Sequence, residues 1–192
     1  MHLVFDILQG IGVAAAVGIR PFLPALAVGA LAAGDVQIDF AHTDFSFLQS
    51  APFLLGMVVG SILLSMLERR RLERGPVALA ISAAALIIGA VLFAGALARG
   101  HYAWWPGIIG GVLCAGVGIL ATRPLLARVR ARLDREAAGA LPVFTEAVAV
   151  AGAVLSVLAP PVGILLLAFL LGLLFAGRGR GEQKYAGLRI LR

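Results

Sequence analysis

The residues able to do chemistry in this chain are few, and most lie inside or at the edge of long apolar runs. Arg20 stands in the string Gly18-Ile19-Arg20-Pro21-Phe22-Leu23-Pro24, near the middle of an apolar run from Leu3 to Ala33. Pro21 and Pro24 each remove a backbone donor and disfavour helix in the residue before them, so the run must break there. The break frees backbone groups that a polar ligand can use, provided they are buried in protein or line a wet cavity. An arginine beside it can hold an anionic group. Unpaired near mid-bilayer it would cost ~2.5 to 3.5 kcal/mol even on an insertion scale, so it must face protein or water. Thr145 and Glu146 lie one turn into a later apolar run. A carboxylate there either pairs with an arginine, Arg20 and Arg123 being the candidates in kind, or stays protonated. It serves as a proton-coupling or ligand group, or as half of a structural ion pair. Glu68 closes another run beside Arg69 to Arg71, where an interfacial salt bridge is favoured over catalysis. Asp6 reads as a helix N-terminal acid.

Other chemistries are excluded by what is missing. The acidic string Asp35, Asp39, His42 and Asp44 matches no metal-loop spacing, and His2, His42 and His101 are scattered. There is no His-Glu-x-x-His, Gly-x-Ser-x-Gly or P-loop string. The single cysteine, Cys114, allows neither an intrachain disulfide nor a cysteine metal site and reads as packing. No metal, cofactor or catalytic constellation is therefore expected, and an intramembrane lipid-modifying enzyme is the weakest of the readings. Nucleic acid is excluded as well. The net charge of +6 sits at the ends of apolar runs rather than on a soluble basic face.

The elements that must position these groups are membrane helices. Of 192 residues, 61% are hydrophobic and 14% charged, and the mean hydropathy is +1.01; a soluble domain carries about 25% charged residues to wet its surface. Apolar stretches cover Leu3 to Ala33, Leu48 to Leu67, Pro76 to Ala98, Trp104 to Ala121, Leu141 to Leu158 and Pro160 to Ala176. This predicts an all-α integral membrane protein with about six transmembrane helices in one domain, 1–177, followed by a basic tail, 178–192. Fourteen of the sixteen Lys and Arg fall in the gaps after the second and fourth runs and in the tail. With six crossings these gaps share a side, which the positive-inside rule assigns to the cytoplasm of a bacterial inner membrane, with both termini there. Trp104 and Trp105 fit an interfacial anchor on the other side.

Finer features follow from periodicity. Residues 124–138 place Leu126, Val129, Leu133 and Ala137 at helical spacing and Arg128, Arg130, Arg132 and Arg135 on the remaining faces. The stretch is expected as an amphipathic helix on the cytoplasmic surface, attracted to anionic lipid. Val36, Ile38 and Phe40 alternate with polar or small residues, as a short strand or an irregular interfacial loop would. The strings Arg20-Pro21 and Arg123-Pro124, with Pro52 and Pro142 opening later helices, suggest repeats over 1–75 and 103–177. Three spans per repeat would make the duplication inverted, a transporter plan. It would place Arg20 at the outer edge of a short first span. Gly56-x-x-x-Gly60, Gly107, Gly111, Ala115, Gly118 and Gly152-x-x-x-Ser156 make smooth faces that pack helices closely, one of them a candidate homodimer surface.

The string at 18–29, Leu67-Glu68 closing the second span, and Thr145-Glu146-Ala-Val-Ala-Val opening the fifth resemble the bacterial membrane family DUF4126. The resemblance implies a multi-span fold without an assigned activity, and it points to Arg20, Glu68 and Glu146. Its members tend to carry an acidic pair where this chain has Glu146-Ala147, which argues against a carboxylate-pair mechanism. Two functional classes are in contention. One is a small transporter or lipid-handling protein, with Arg20 holding an anionic group and Glu146 coupling a proton or balancing Arg20. The other is a membrane scaffold recruiting lipid or a partner through its basic helix.

Overall fold

The computed structural model describes residues 2–69 and 75–186. Its helices are α1 (His2–Ile19), α2 (Phe22–Ala33), α3 (Ala51–Arg69), α4 (Pro76–Arg99), α5 (Trp105–Arg130), α6 (Arg135–Leu158) and α7 (Pro161–Ala186), with one turn of 3-10 helix at Ser46–Gln49. Proline at the first or second position opens α4 and α5, where its missing N–H has no intrahelical acceptor to lose. Ala51–Glu68, Pro76–Arg99, Trp105–Arg130 and Gly139–Leu158 are long and apolar enough to cross a bilayer, and Leu3–Ile19, Phe22–Ala33 and Pro161–Gly177 are shorter apolar helices. The protein is an all-α membrane protein.

The expected break at Gly18–Pro24 is present, but its consequence differs from a kink. Arg20 N–H closes α1 on the Ala16 carbonyl, and the chain restarts as α2 after Pro21. Arg99, at the last turn of α4, donates both to Asp6 near the start of α1 and to the Gln37 carbonyl just past the end of α2. The beginning of α1 and the end of α2 therefore share one end of the bundle, and the pair is a hairpin that turns at Arg20-Pro21. The 31-residue run from Leu3 to Ala33, counted as one crossing, is two antiparallel segments. Asp6 thus pairs across the bundle with Arg99 and does not simply cap its own helix.

The hairpin places α1 in the centre. It packs on α4, α5, α6 and α7, and its residues 12–18 are all buried. A helix of 12 residues such as α2 spans about 18 Å, short of the hydrocarbon core. The loop that follows turns three of its apolar side chains back onto the bundle. Ile38, Phe40 and Leu48 are buried in the main core beside Val28, Ala32 and Leu92, while among the described residues no strand forms.

In the same loop the Asp39 carboxylate accepts the Ala41 N–H at 2.7 Å. That bond, helped by Gln49 and by the charges of His42 and Arg99, holds its pKa below the ordinary aspartate value. A depressed folded-state pKa means that the turn's contribution is present above the unfolded value and lost as the pH falls through the folded one. In a carboxyl-carbon NMR titration, Asp39 is expected to titrate below a random-coil aspartate, and Asn at this position to remove that acid-side transition. A normal titration would show that the turn does not depend on the bond.

Residues 124–138 form no separate surface helix. α5 continues through Pro124 to Arg130, residues 131–134 turn, and Arg135 already belongs to α6. Pro124 is accommodated inside α5, two residues beyond Thr122, whose hydroxyl bonds the Gly118 carbonyl. Trp104 and Trp105 are exposed at the Arg99 end of α5, as interfacial anchors are.

Candidate functional site

The turn at Arg20-Pro21 carries its arginine to the end of the bundle where α3 and α5 finish and α4 and α6 begin. Arg20 is 7% exposed. Its NH1 pairs with Glu68 Oε1 in the last turn of α3, and its Nε donates to Thr145 Oγ1 at 3.2 Å. The Thr145 hydroxyl hydrogen has acceptors within its own helix, the Leu141 and Pro142 carbonyls at 3.1 and 2.8 Å. Its oxygen lone pairs are left to accept from Arg20. Two helices distant in sequence are thus tied to one guanidinium.

The pairing of Arg20 with Glu146 does not form; Glu68 takes that place. One residue along a helix is a rotation of about 100°, so with Thr145 turned toward Arg20 its neighbour points aside. Glu146 is half-buried and lies within electrostatic reach of both Arg20 and Glu68. The cluster therefore holds two carboxylates against one guanidinium.

Arg20 and Glu68 face a cavity of about 380 Å³. Gly18 to Pro21 form its floor, Leu64 and Glu68 of α3 one wall, and α4 and α5 the other, with Ile81, Ser82, Ile119 and Leu126 among the lining. Since α3 packs chiefly on α2 and the 3-10 turn, the cavity lies where α3 stands apart from α4 and α5. Arg123 lines the same space and donates to the Ala78 carbonyl at 2.9 Å and to Ser82 Oγ at 2.5 Å. Arg130 lines it too. The walls are otherwise mostly apolar, an arrangement suited to an amphiphile with an anionic head.

The shared cavity also bears on the inverted form of the suggested duplication. An inverted repeat would put Arg20 and Arg123 at opposite ends of the bundle, with Arg20 beside the Asp35–Asp44 loop; they line one cavity at the other end. Of the remaining sequence candidates, Pro21 lines the cavity, while Pro24 is buried within α2 and does not. Arg128 turns back to the Pro124 carbonyl at 3.0 Å, Arg132 lies in the exposed turn, and the Arg135 side chain is outside the described residues. Ser82 went unrecognised in the sequence. Its signal is a hydroxyl two turns into a span, back-bonded to the Ala78 carbonyl at 2.7 Å. Among the described residues, no group of three His, Cys, Asp or Glu side chains is placed to hold a metal ion.

Comparison with known proteins adds one match. The family model described as domain of unknown function (DUF4126) aligns with residues 7–178. No curated protein and no solved structure matches the chain.

Proposed function

The chain belongs to the DUF4126 family, and from the cavity at Arg20 we propose that it binds the anionic group of a lipid or small molecule within the membrane and handles or transports that ligand. The observation that carries this reading is a buried arginine, neutralised by an acid from another helix, at the floor of a largely apolar cavity of about 380 Å³. A structural ion pair needs no such space beside it. Here Glu68 stands where a ligand anion would bind, and an incoming anion competes with it for Arg20. The displaced charge would join Glu146, so proton uptake at either carboxylate, or its exit toward water, accompanies loading. Arg123 and Arg130 supply positive potential in the same cavity.

The distribution of charge supports an orientation. Arg69 to Arg71 and Arg74 end or follow α3, Arg123 to Arg135 span the α5–α6 junction, and the last five basic residues lie in the second half of α7 or after it. All these gaps adjoin the Arg20 end, so the positive-inside rule assigns the cavity to the cytoplasmic face of a bacterial inner membrane. The carboxyl-terminal segment is then cytoplasmic. The start of α1, at the Arg99 end, is across the membrane, in contrast to the six-crossing expectation that kept both termini inside. Anionic lipid attracted to this face is the nearest source of ligand.

Ile81 lines the cavity from α4 and makes no part of the ion pair. In nanodiscs containing phosphatidylcholine and phosphatidylglycerol, native mass spectrometry of the wild type is expected to retain a defined anionic species. Ile81→Trp, which fills the space, should lose it while the protein stays folded. Identical adduct patterns in the two proteins would remove the cavity from consideration as a binding site.

A further inference from the structure

The opposite end of the bundle holds a second polar cluster, which the proposed site does not use. Arg99 donates NH1 to the Gln37 carbonyl at 2.6 Å, and NH2 both to Asp6 Oδ1 and to Gln9 Oε1, the latter at 3.2 Å. Asp6 and Gln9 are each 2% exposed. Because Gln9 Oε1 accepts from Arg99, its Nε2 is the donor side of the amide, and among the described residues that nitrogen is buried without a hydrogen-bond partner. A buried donor left unpaired forfeits its hydration with nothing in return, so such groups mark places where a partner belongs. Here there is room for one. A cavity of about 280 Å³ is lined by Asp6, Gln9 and Arg99 together with Phe5, Val157 and Pro160.

The chemistry of the lining defines what fits. Asp6 and Arg99 already cancel each other, and a third charge beside them would have no counter-ion. The buried group left without a partner is a donor, Gln9 Nε2, and the Arg99 guanidinium beside it has five N–H groups, of which the three bonds above use three. Phe5, Val157 and Pro160 supply the apolar part of the lining. We infer that this cavity binds an uncharged hydrogen-bond acceptor, a carbonyl oxygen flanked by apolar groups, with the oxygen accepting from Gln9 Nε2. Two sources present that chemistry. One is the ester carbonyl of a membrane lipid, reaching the cavity along the exposed Leu3, Val4 and Phe5 of α1. The other is a freely diffusing amide, ester or ketone. This site lies at the other end of α1 from the Arg20 cavity and does not depend on the reading given for it.

The chain has four glutamines, at 9, 37, 49 and 183, so selective 15N-glutamine labelling gives few side-chain signals. In nanodiscs of ether-linked phosphatidylcholine, which lacks ester carbonyls, titration with N-methylacetamide is expected to move the Gln9 amide signals saturably while those of Gln49 and Gln183 stay in place. Ester-linked nanodiscs separate the sources. If lipid is the ligand, the Gln9 signals are already displaced there and the added amide changes them little; if a solute is the ligand, the titration looks the same in both lipids. Assignment rests on Gln9→Met; should that variant not fold, Gln37→Ala, Gln49→Ala and Gln183→Ala identify Gln9 by elimination. Gln9 signals that stay still in both lipids overturn the proposal, and so does a shift produced by acetate but not by N-methylacetamide, which would make this an anion site.

Discussion

Glu68→Ala is expected to lower the stability of the membrane-embedded protein by about 3–5 kcal/mol, the cost of leaving one member of a buried ion pair without its partner. Arg20 is 7% exposed and sits on the turn that reverses the chain, so without Glu68 its charge is left largely buried, open only to the cavity it lines. Thr145 keeps one hydrogen bond to it but brings no charge. Glu146, close but without a hydrogen bond to Arg20, compensates only in part, and Glu146→Ala should cost far less than Glu68→Ala. Replacing both members of the pair, as Arg20→Met with Glu68→Leu, should recover most of the loss, because apolar residues of similar volume spare both charges their desolvation. Unfolding in detergent titrations, with the four proteins side by side, measures the differences. Equal stability of Glu68→Ala and the wild type would mean that Arg20 is hydrated. A stable double variant that no longer retains the anionic species would separate the pair's structural role from its binding role.

Gly18→Ala, Gly118→Ala and Gly163→Ala are each expected to destabilise by about 1–3 kcal/mol or more, against little change or a small gain for Gly56→Ala and Gly172→Ala. The reason is what a methyl group would meet. At Gly18 a Cβ would lie 2.2 Å from the Ala115 carbonyl oxygen, at Gly118 2.5 Å from that of Ala15, and at Gly163 2.2 Å from that of Leu8. These neighbours are backbone, which cannot rotate away, so α1 must separate from α5 or α7. As α1 is the helix on which four others pack, the displacement propagates. At Gly56 and Gly172, beyond the adjoining backbone of the same helix, no described heavy atom lies within 4 Å of the position. There alanine only improves helix propensity. Gly60 falls between these cases, because its close neighbour is the Phe22 ring, a side chain with some freedom to turn. Thermal denaturation of these five variants and Gly60→Ala in one lipid checks the order. Tolerance of Gly18→Ala would show that α1 and α5 are not in the close contact described.

The small-residue strings were visible in the sequence as smooth faces, but their partners were not. Gly118 and Ala115 read as a face of α5; only the fold shows that the face receives α1. Gly56-x-x-x-Gly60 reads the same way, yet Gly56 meets nothing and Gly60 meets α2. Helix periodicity identifies which residues share a face. It carries no term for what lies opposite.

The candidate site shows the same division. Arg20, Glu68 and Thr145 stood out because charged and hydroxyl groups beside apolar runs need partners, and the fold brings these three together. Glu146 stood out for the same reason and was turned aside by one residue of helical rotation. Ser82 was passed over because a lone serine in a span has a ready backbone acceptor of its own.

By itself, the sequence determined the class of protein, where most helices begin and end, the break before Pro21 and the crowding of basic charge into three gaps. Each depends on the free energy of a single segment in water or lipid: hydropathy, a missing proline N–H, the cost of moving a charge across the bilayer. The tertiary structure alone decided that the chain reverses at Arg20, that Pro124 stays within its helix, and which acid neutralises the arginine. A proline breaks the same hydrogen bonds whether the helix kinks, turns back or continues with its neighbours' support. The choice among these rests on packing between segments, on whether α1 can be enclosed by α4, α5, α6 and α7, and that energy exists only when all of them are in place.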